Sequence, residues 1–126
     1  MIRNLLAVGC GGFVGALARY GASLLVARFW AREFPLATFL INVSGSFILG
    51  VFLTIAAERL PLAPHWRLLI ATGFVGAFTT FSTFTYESLR LAEARSFWLA
   101  GLNIIASVAV GLLAVAAGAK LVRWLL

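Results

Sequence analysis

The sequence predicts an all-α membrane protein: four transmembrane helices, the third of them interrupted, in a single domain over residues 1–126. Three observations carry this. First, 63% of the residues are hydrophobic and 11% charged, there is no Asp, and the mean hydropathy is +1.05. So few polar groups cannot cover the core of a soluble protein. Second, apolar stretches at residues 4–27, 34–57, 68–86 and 96–119 reach or approach the ~20 residues that cross a hydrocarbon core of about 30 Å. Arg19 is the only charge inside them. Third, the other charges sit in short connections at 28–33, 58–67 and 87–95 or near the two ends. No soluble domain, linker or low-complexity tail is expected, and no convincing internal repeat is present.

The same composition excludes several classes. A single Cys10 allows no disulfide framework within one chain and no cysteine-based metal site. The one histidine, His65, lies between Pro64 and Trp66 and reads as a loop residue. A formal charge of +6 would suggest nucleic acid in a soluble protein, but here the basic residues punctuate the ends of apolar runs, as membrane-flanking Lys and Arg do. Arg3 followed by an apolar run and Ala16-Leu17-Ala18 imitates a signal peptide, yet the hydrophobicity continues to Ala27, as in a retained span. The run before Cys10 is too short to serve a lipoprotein signal.

Orientation is nearly undetermined by charge. Arg3, Arg59, Arg67, Lys120 and Arg123 would share one side, and Arg28, Arg32, Arg90 and Arg95 the other. Because Lys/Arg bias sets orientation, five against four predicts dual topology, with copies inserted both ways and paired antiparallel. A weakly biased protein with one orientation is the alternative.

In the first span Gly11, Gly15 and Arg19 are spaced by four, with Gly9 and Gly12 nearby. Small residues at this spacing let helices approach closely. A mid-span arginine is costly and normally faces a cavity, a partner or carbonyl groups. Arg19 therefore reads as an anion attractor in a vestibule or as one half of a structural pair, with Glu87 a candidate partner. The second span places Thr38, Asn42 and Ser46 on one face, beside Gly45 and Gly50. The fourth repeats the pattern with Asn103, Ser107 and Gly111. Each track is either interhelical glue, worth roughly 1 kcal/mol per bond, or one wall of a narrow polar path on which the Asn42 amide donates to an anion.

The third span carries the most unusual stretch, GFVGAFTTFSTFTYE at residues 73–87. Five of the seven residues from Thr79 to Thr85 carry hydroxyls, and Phe78, Phe81 and Phe84 recur every third position. Glycine, β-branched threonine and aromatics all lower helix propensity, so Gly73-Phe-Val-Gly76 invites an interruption. At membrane depth a break survives only where it is buried in protein or lines a watery cavity, and the carbonyls it frees are of the kind that hold cations in transporters. Phe81 and Phe84 fall on nearly one face, and their ring edges carry positive charge able to contact an anion. Lipid contact or packing is the alternative for both rings.

The run from Gly73 to Phe84 closely resembles the third-helix signature of the Fluc/CrcB fluoride channels. Gly15-Ala-Leu-Ala-Arg19 and Asn42-Val-Ser-Gly45 support the match, and length, span number and charge balance extend it over the whole chain. The resemblance implies an antiparallel homodimer in the bacterial inner membrane, with two fluoride pathways and passive, electrodiffusive export of cytoplasmic fluoride. It implies a structural Na+ at the dimer centre, held by the backbone carbonyls of Gly76 and Thr79 from both subunits. It makes Phe81 and Phe84 the pore phenylalanines and Asn42 the second-helix anion donor, with Thr38 beside it. Ser82 and Thr83 add hydroxyls to the pathway, Asn103 and Ser107 lie on the fourth-helix track, Arg19 stands near the entrance, and Glu87 helps close the path. The chain departs from relatives in Ala77, where many have a second glycine, in Gly111, where some have serine, and in Asn103, where some have an aromatic.

Two other functions compete. A small four-helix proton-coupled exporter needs an intramembrane carboxylate, whereas Glu33, Glu58, Glu87 and Glu93 all fall at the ends of the apolar stretches. A non-transporting assembly subunit would use the polar tracks only as glue. No nucleophile–base or metal constellation suggests an enzyme.

Overall fold

The computed structural model describes all 126 residues, Met1–Leu126, and its regular structure is entirely helical. Four helical stretches are long and apolar enough to cross a membrane: Ile2–Ala27 (α1), Leu36–Arg59 (α2), Pro64–Glu93 and Phe97–Leu125 (α5). The third of these is two helices in line, α3 (residues 64–78) and α4 (Phe81–Glu93), separated by Thr79 and Thr80. The third span is interrupted as predicted, but at Thr79 and Thr80 rather than at Gly73–Gly76, which stays helical. The helices overrun the apolar stretches: the third continues through Glu93, where hydropathy alone ends it at Tyr86. Arg, Glu and Leu are good helix formers, and continuing the helix satisfies backbone groups that would otherwise be bare in lipid.

The break is specified locally. Pro64 opens α3 at a first-turn position, where its missing N–H costs nothing. The helix then runs through wide i→i+5 turns over Leu68–Val75. It stops at Thr79, whose N–H and Oγ1 both donate to the Val75 carbonyl, at 3.0 and 2.9 Å. Thr79 (ψ 158°) and Thr80 (φ −149°, ψ 110°) are extended. Thr80 then caps α4, its Oγ1 accepting from the Thr83 N–H at 3.3 Å and donating to Thr83 Oγ1 at 2.9 Å. Hydroxyls beside β-branched carbons thus end one helix and begin the next.

Glycines set how closely the spans pack, as the four-residue spacing predicted. A Cβ on Gly11 would collide with the Leu69 carbonyl, and one on Gly15 with the Phe74 carbonyl. In the other pair of spans, Gly50 faces the Val115 carbonyl and Gly118 the Phe47 carbonyl. The clash would be with backbone in each case, so α1 rests directly on α3, and α2 on α5. Gly45 acts at the break instead, because a methyl there would strike Thr79 Cγ2 and its bareness admits the extended segment against α2. Charged contacts are peripheral, with Arg123 on Glu58 (2.6 Å) and Arg90 on Glu93 (3.0 Å), all largely solvent-accessible.

Candidate functional site

Two cavities flank the break. The first, about 280 Å³, is walled by Asn42, Ser46, Thr79, Phe81, Phe84 and Ser107, with small and aliphatic residues between them. The second, about 300 Å³, is walled by Arg19, Tyr20, Ser23, Thr38, Thr80 and Thr83. Thr80 borders both. The first contains hydroxyls, one amide and two phenyl rings but no charged side chain. The second contains one cation and no carboxylate.

Asn42 sits at the junction. Its Oδ1 accepts from the Thr80 N–H at 2.8 Å, and its Nδ2 donates to the Thr80 carbonyl at 3.0 Å. A primary amide carries two N–H donors, so one remains for the first cavity. Across that cavity Phe81 and Phe84 lie with ring centroids 5.7 Å apart and planes inclined by 48°. Phe84 is buried, whereas Phe81 projects from the chain.

The structure brings together most of the residues singled out from sequence, and separates some. Asn42, Phe81, Phe84, Thr79 and Ser107 share the first cavity; Arg19, Thr38 and Thr83 share the second. Ser82 lies on the exposed face of α4, outside both, and its carbonyl takes the Thr85 hydroxyl at 3.0 Å. Asn103 is 0% exposed and lines neither. Its Nδ2 donates to Ser88 Oγ at 2.9 Å, Ser88 Oγ donates to the Phe84 carbonyl at 2.8 Å, and Ser107 Oγ approaches Asn103 Oδ1 at 3.4 Å. The fourth-helix track therefore splits, with Ser107 on the cavity and Asn103 behind Phe84.

Glu87 is held by Thr38, whose Oγ1 donates to its Oε1 at 3.0 Å, while Oε2 is buried without a hydrogen bond. The Arg19–Glu87 pair weighed from sequence does not form, and this is a correction. The only salt bridges are Arg123–Glu58 and Arg90–Glu93. Arg19 instead lines the second cavity, and its carbonyl accepts from Ser23 Oγ at 3.0 Å. Glu87 also lies within the third helical stretch rather than beyond its end.

Two participants were missed from sequence. Thr80 received no separate role within the threonine-rich run, although it is the residue both cavities share. Ser88 gave no signal beyond standing four residues after Phe84.

Gly76 and Thr79 frame the break. The carbonyls of Gly76 and Thr79 lose the donors an unbroken helix would bring them, because the Thr80 N–H goes to Asn42 and the Thr83 N–H to Thr80 Oγ1. Gly76 is exposed on the surface of the chain. Bare carbonyl oxygens at an unwound point suit a hard monovalent cation. No group of three His, Cys, Asp or Glu side chains offers a rival donor set.

Four spans and a helix broken at mid-span, with two small cavities beside the break that carry hydroxyl and amide groups, define a multi-pass membrane protein. Residues 6–119 match the family described as CrcB-like protein, Camphor Resistance (CrcB), and the chain belongs to that family. Its relatives include the fluoride-specific ion channel FluC of Koribacter versatilis (strain Ellin345), 46% identical over 97% of both chains. They also include the FluC proteins of Acidobacterium capsulatum, 47% identical over 86% of both chains, and of Roseiflexus sp. (strain RS-1), 40% identical over 95% of this chain and 97% of that one.

Proposed function

We propose that the protein is a fluoride channel that lets cytoplasmic fluoride leave passively through two pores of an antiparallel homodimer in the bacterial inner membrane. The observation that carries this is the first cavity. It offers the free Asn42 N–H, the Ser46 hydroxyl and the rings of Phe81 and Phe84, without a fixed charge. The names borne by the relatives supply the anion.

Fluoride enters cells from acidic surroundings as neutral HF, ionises and is trapped. A channel lets the membrane potential expel it, but a small, strongly hydrated anion must shed water without being held too tightly to leave. Weak donors in series meet both demands, whereas a full cation at the narrowest point would trap the ion. Arg19 stands apart from that point, in the second cavity. There it draws anions toward the Thr83 hydroxyl, and from there past Thr80 and Asn42 to the phenylalanines.

The exposed break supports a second copy. Free carbonyls facing lipid would each cost several kcal/mol, and apposing Gly76 and Thr79 of two chains covers them. Four such oxygens would hold Na+, which would supply positive charge that neutralises their convergent dipoles and fixes the two breaks against each other.

The test is efflux from liposomes containing the purified protein, followed with fluoride- and chloride-sensitive electrodes under a K+ ionophore. Fast fluoride efflux without chloride efflux is expected. Flux of neither ion from a verified dimer with Na+ present would overturn the proposal and leave the assembly-subunit alternative.

A further inference from the structure

In an unbroken helix the Thr80 N–H donates to the carbonyl four residues earlier, that of Gly76. Here it donates to Asn42 Oδ1 at 2.8 Å, while Asn42 Nδ2 donates to the Thr80 carbonyl at 3.0 Å. One side chain of α2 thus takes both polar groups of a single residue in the break. The local caps do not do this: Thr79 bonds to Val75, and the Thr80 hydroxyl bonds to Thr83. They end α3 and begin α4, but neither supplies an acceptor for the Thr80 N–H. Within the chain that N–H has two natural acceptors, the Asn42 amide oxygen or the Gly76 carbonyl.

We infer that Asn42 is the positioning residue that holds the third helix open, keeping the Thr80 N–H off the Gly76 carbonyl so that this oxygen stays available to a cation. The inference rests on the proposed use of the Gly76 and Thr79 carbonyls as Na+ ligands. Thr80 is buried, and a buried N–H left without an acceptor is expensive. Without the Asn42 amide, the nearest repair is to return the N–H to Gly76, which consumes the ligand. Gly45 makes the clamp possible, since its missing Cβ lets Thr79 lie against α2 one turn from Asn42. Asn42 therefore faces two ways, with one N–H toward the anion cavity and the rest of its amide spent on shaping the cation site.

The experiment compares thermal unfolding of purified wild-type, Asn42→Ala and Asn42→Asp dimers in NaCl and in N-methylglucamine chloride of equal strength. The wild type is expected to melt higher in Na+, with a saturable dependence. Asn42→Ala is expected to lose that rise. Asn42→Asp keeps a carboxyl oxygen to accept the Thr80 N–H and is expected to retain the rise while losing fluoride flux. A residue that only packs would lower both melting points equally and leave the Na+ increment intact. An unchanged increment in Asn42→Ala overturns the positioning role alone. Absence of any Na+ effect in the wild type overturns the cation reading and the inference with it. If Asn42→Ala does not form dimers, Asn42→Leu, which keeps the volume but has no acceptor, takes its place beside Asn42→Asp: loss of the rise in Asn42→Leu with retention in Asn42→Asp supports the inference, and retention in both overturns it.

Discussion

Phe81 and Phe84 stand about one helical turn apart with ring centroids separated by 5.7 Å, yet Phe81 is 76% exposed and Phe84 only 9%. The pair is thus divided between the interior of the chain and its exposed face. Phe84 is anchored through the backbone, its carbonyl accepting from Ser88, whereas Phe81 depends on whatever lies opposite.

Replacing Phe81 with Ile removes a ring edge from the cavity without touching the core of the chain. Phe81→Ile is expected to abolish or severely reduce fluoride efflux while dimers still form, as read by liposome flux and size-exclusion chromatography. Wild-type flux would remove Phe81 from the pathway.

Close packing of α1 on α3 makes a sharp prediction at the glycines. A Cβ on Gly15 meets the Phe74 backbone, while one on Gly21 meets nothing within 4 Å. Gly15→Ala should destabilise the protein by about 1–3 kcal/mol through overpacking. Gly21→Ala should be neutral or slightly stabilising, because alanine is the better helix former. Parallel denaturation of the two variants checks this, and equal stabilities would disprove the contact.

Arg19 has no acidic partner and lines the second cavity. Arg19→Ala should slow fluoride efflux by roughly tenfold at low ionic strength, the lower end of electrostatic focusing effects. The deficit should shrink as an impermeant salt shortens the Debye length toward about 3 Å at 1 M. Arg19→Lys should retain most of the flux. A salt-independent deficit would point instead to a packing role.

The Asn103–Ser88 bond calls for a double-mutant cycle. Asn103→Leu alone leaves Ser88 without its donor, and Ser88→Ala alone leaves the buried Asn103 Nδ2 without its acceptor. Each should cost about 1–3 kcal/mol. Removing both partners should cost less than the sum, because no buried polar group is then stranded. Additive losses would show that the bond is not a coupled unit.

Reporter fusions at the carboxyl terminus test dual topology. Signal from both sides of the membrane is expected from the five-to-four charge balance, and signal from one side only would refute it.

The sequence by itself determined the four spans, their approximate ends and that the third one breaks, though the break falls at Thr79–Thr80 rather than at the glycines before it. These are local properties: the length of an apolar run answers to the thickness of the bilayer, and the clustered glycine and threonine answer to backbone propensity and to hydroxyls that compete for carbonyls. The glycines at Gly11 and Gly15 were legible for the same reason, since a four-residue spacing fixes one helix face. Only the tertiary structure decided which polar group spends itself on which. Asn42 and Asn103 look alike in sequence, each mid-span with a serine four residues later. One clamps the Thr80 peptide at the wall of a cavity, and the other is sealed against Ser88 behind Phe84. Glu87 takes Thr38 rather than Arg19. Helical periodicity assigns a residue to a face, but a hydrogen bond needs two atoms within about 3 Å. Which distant residue comes that close depends on how the spans cross, and here the crossings are set by backbone-to-backbone contact at the glycines.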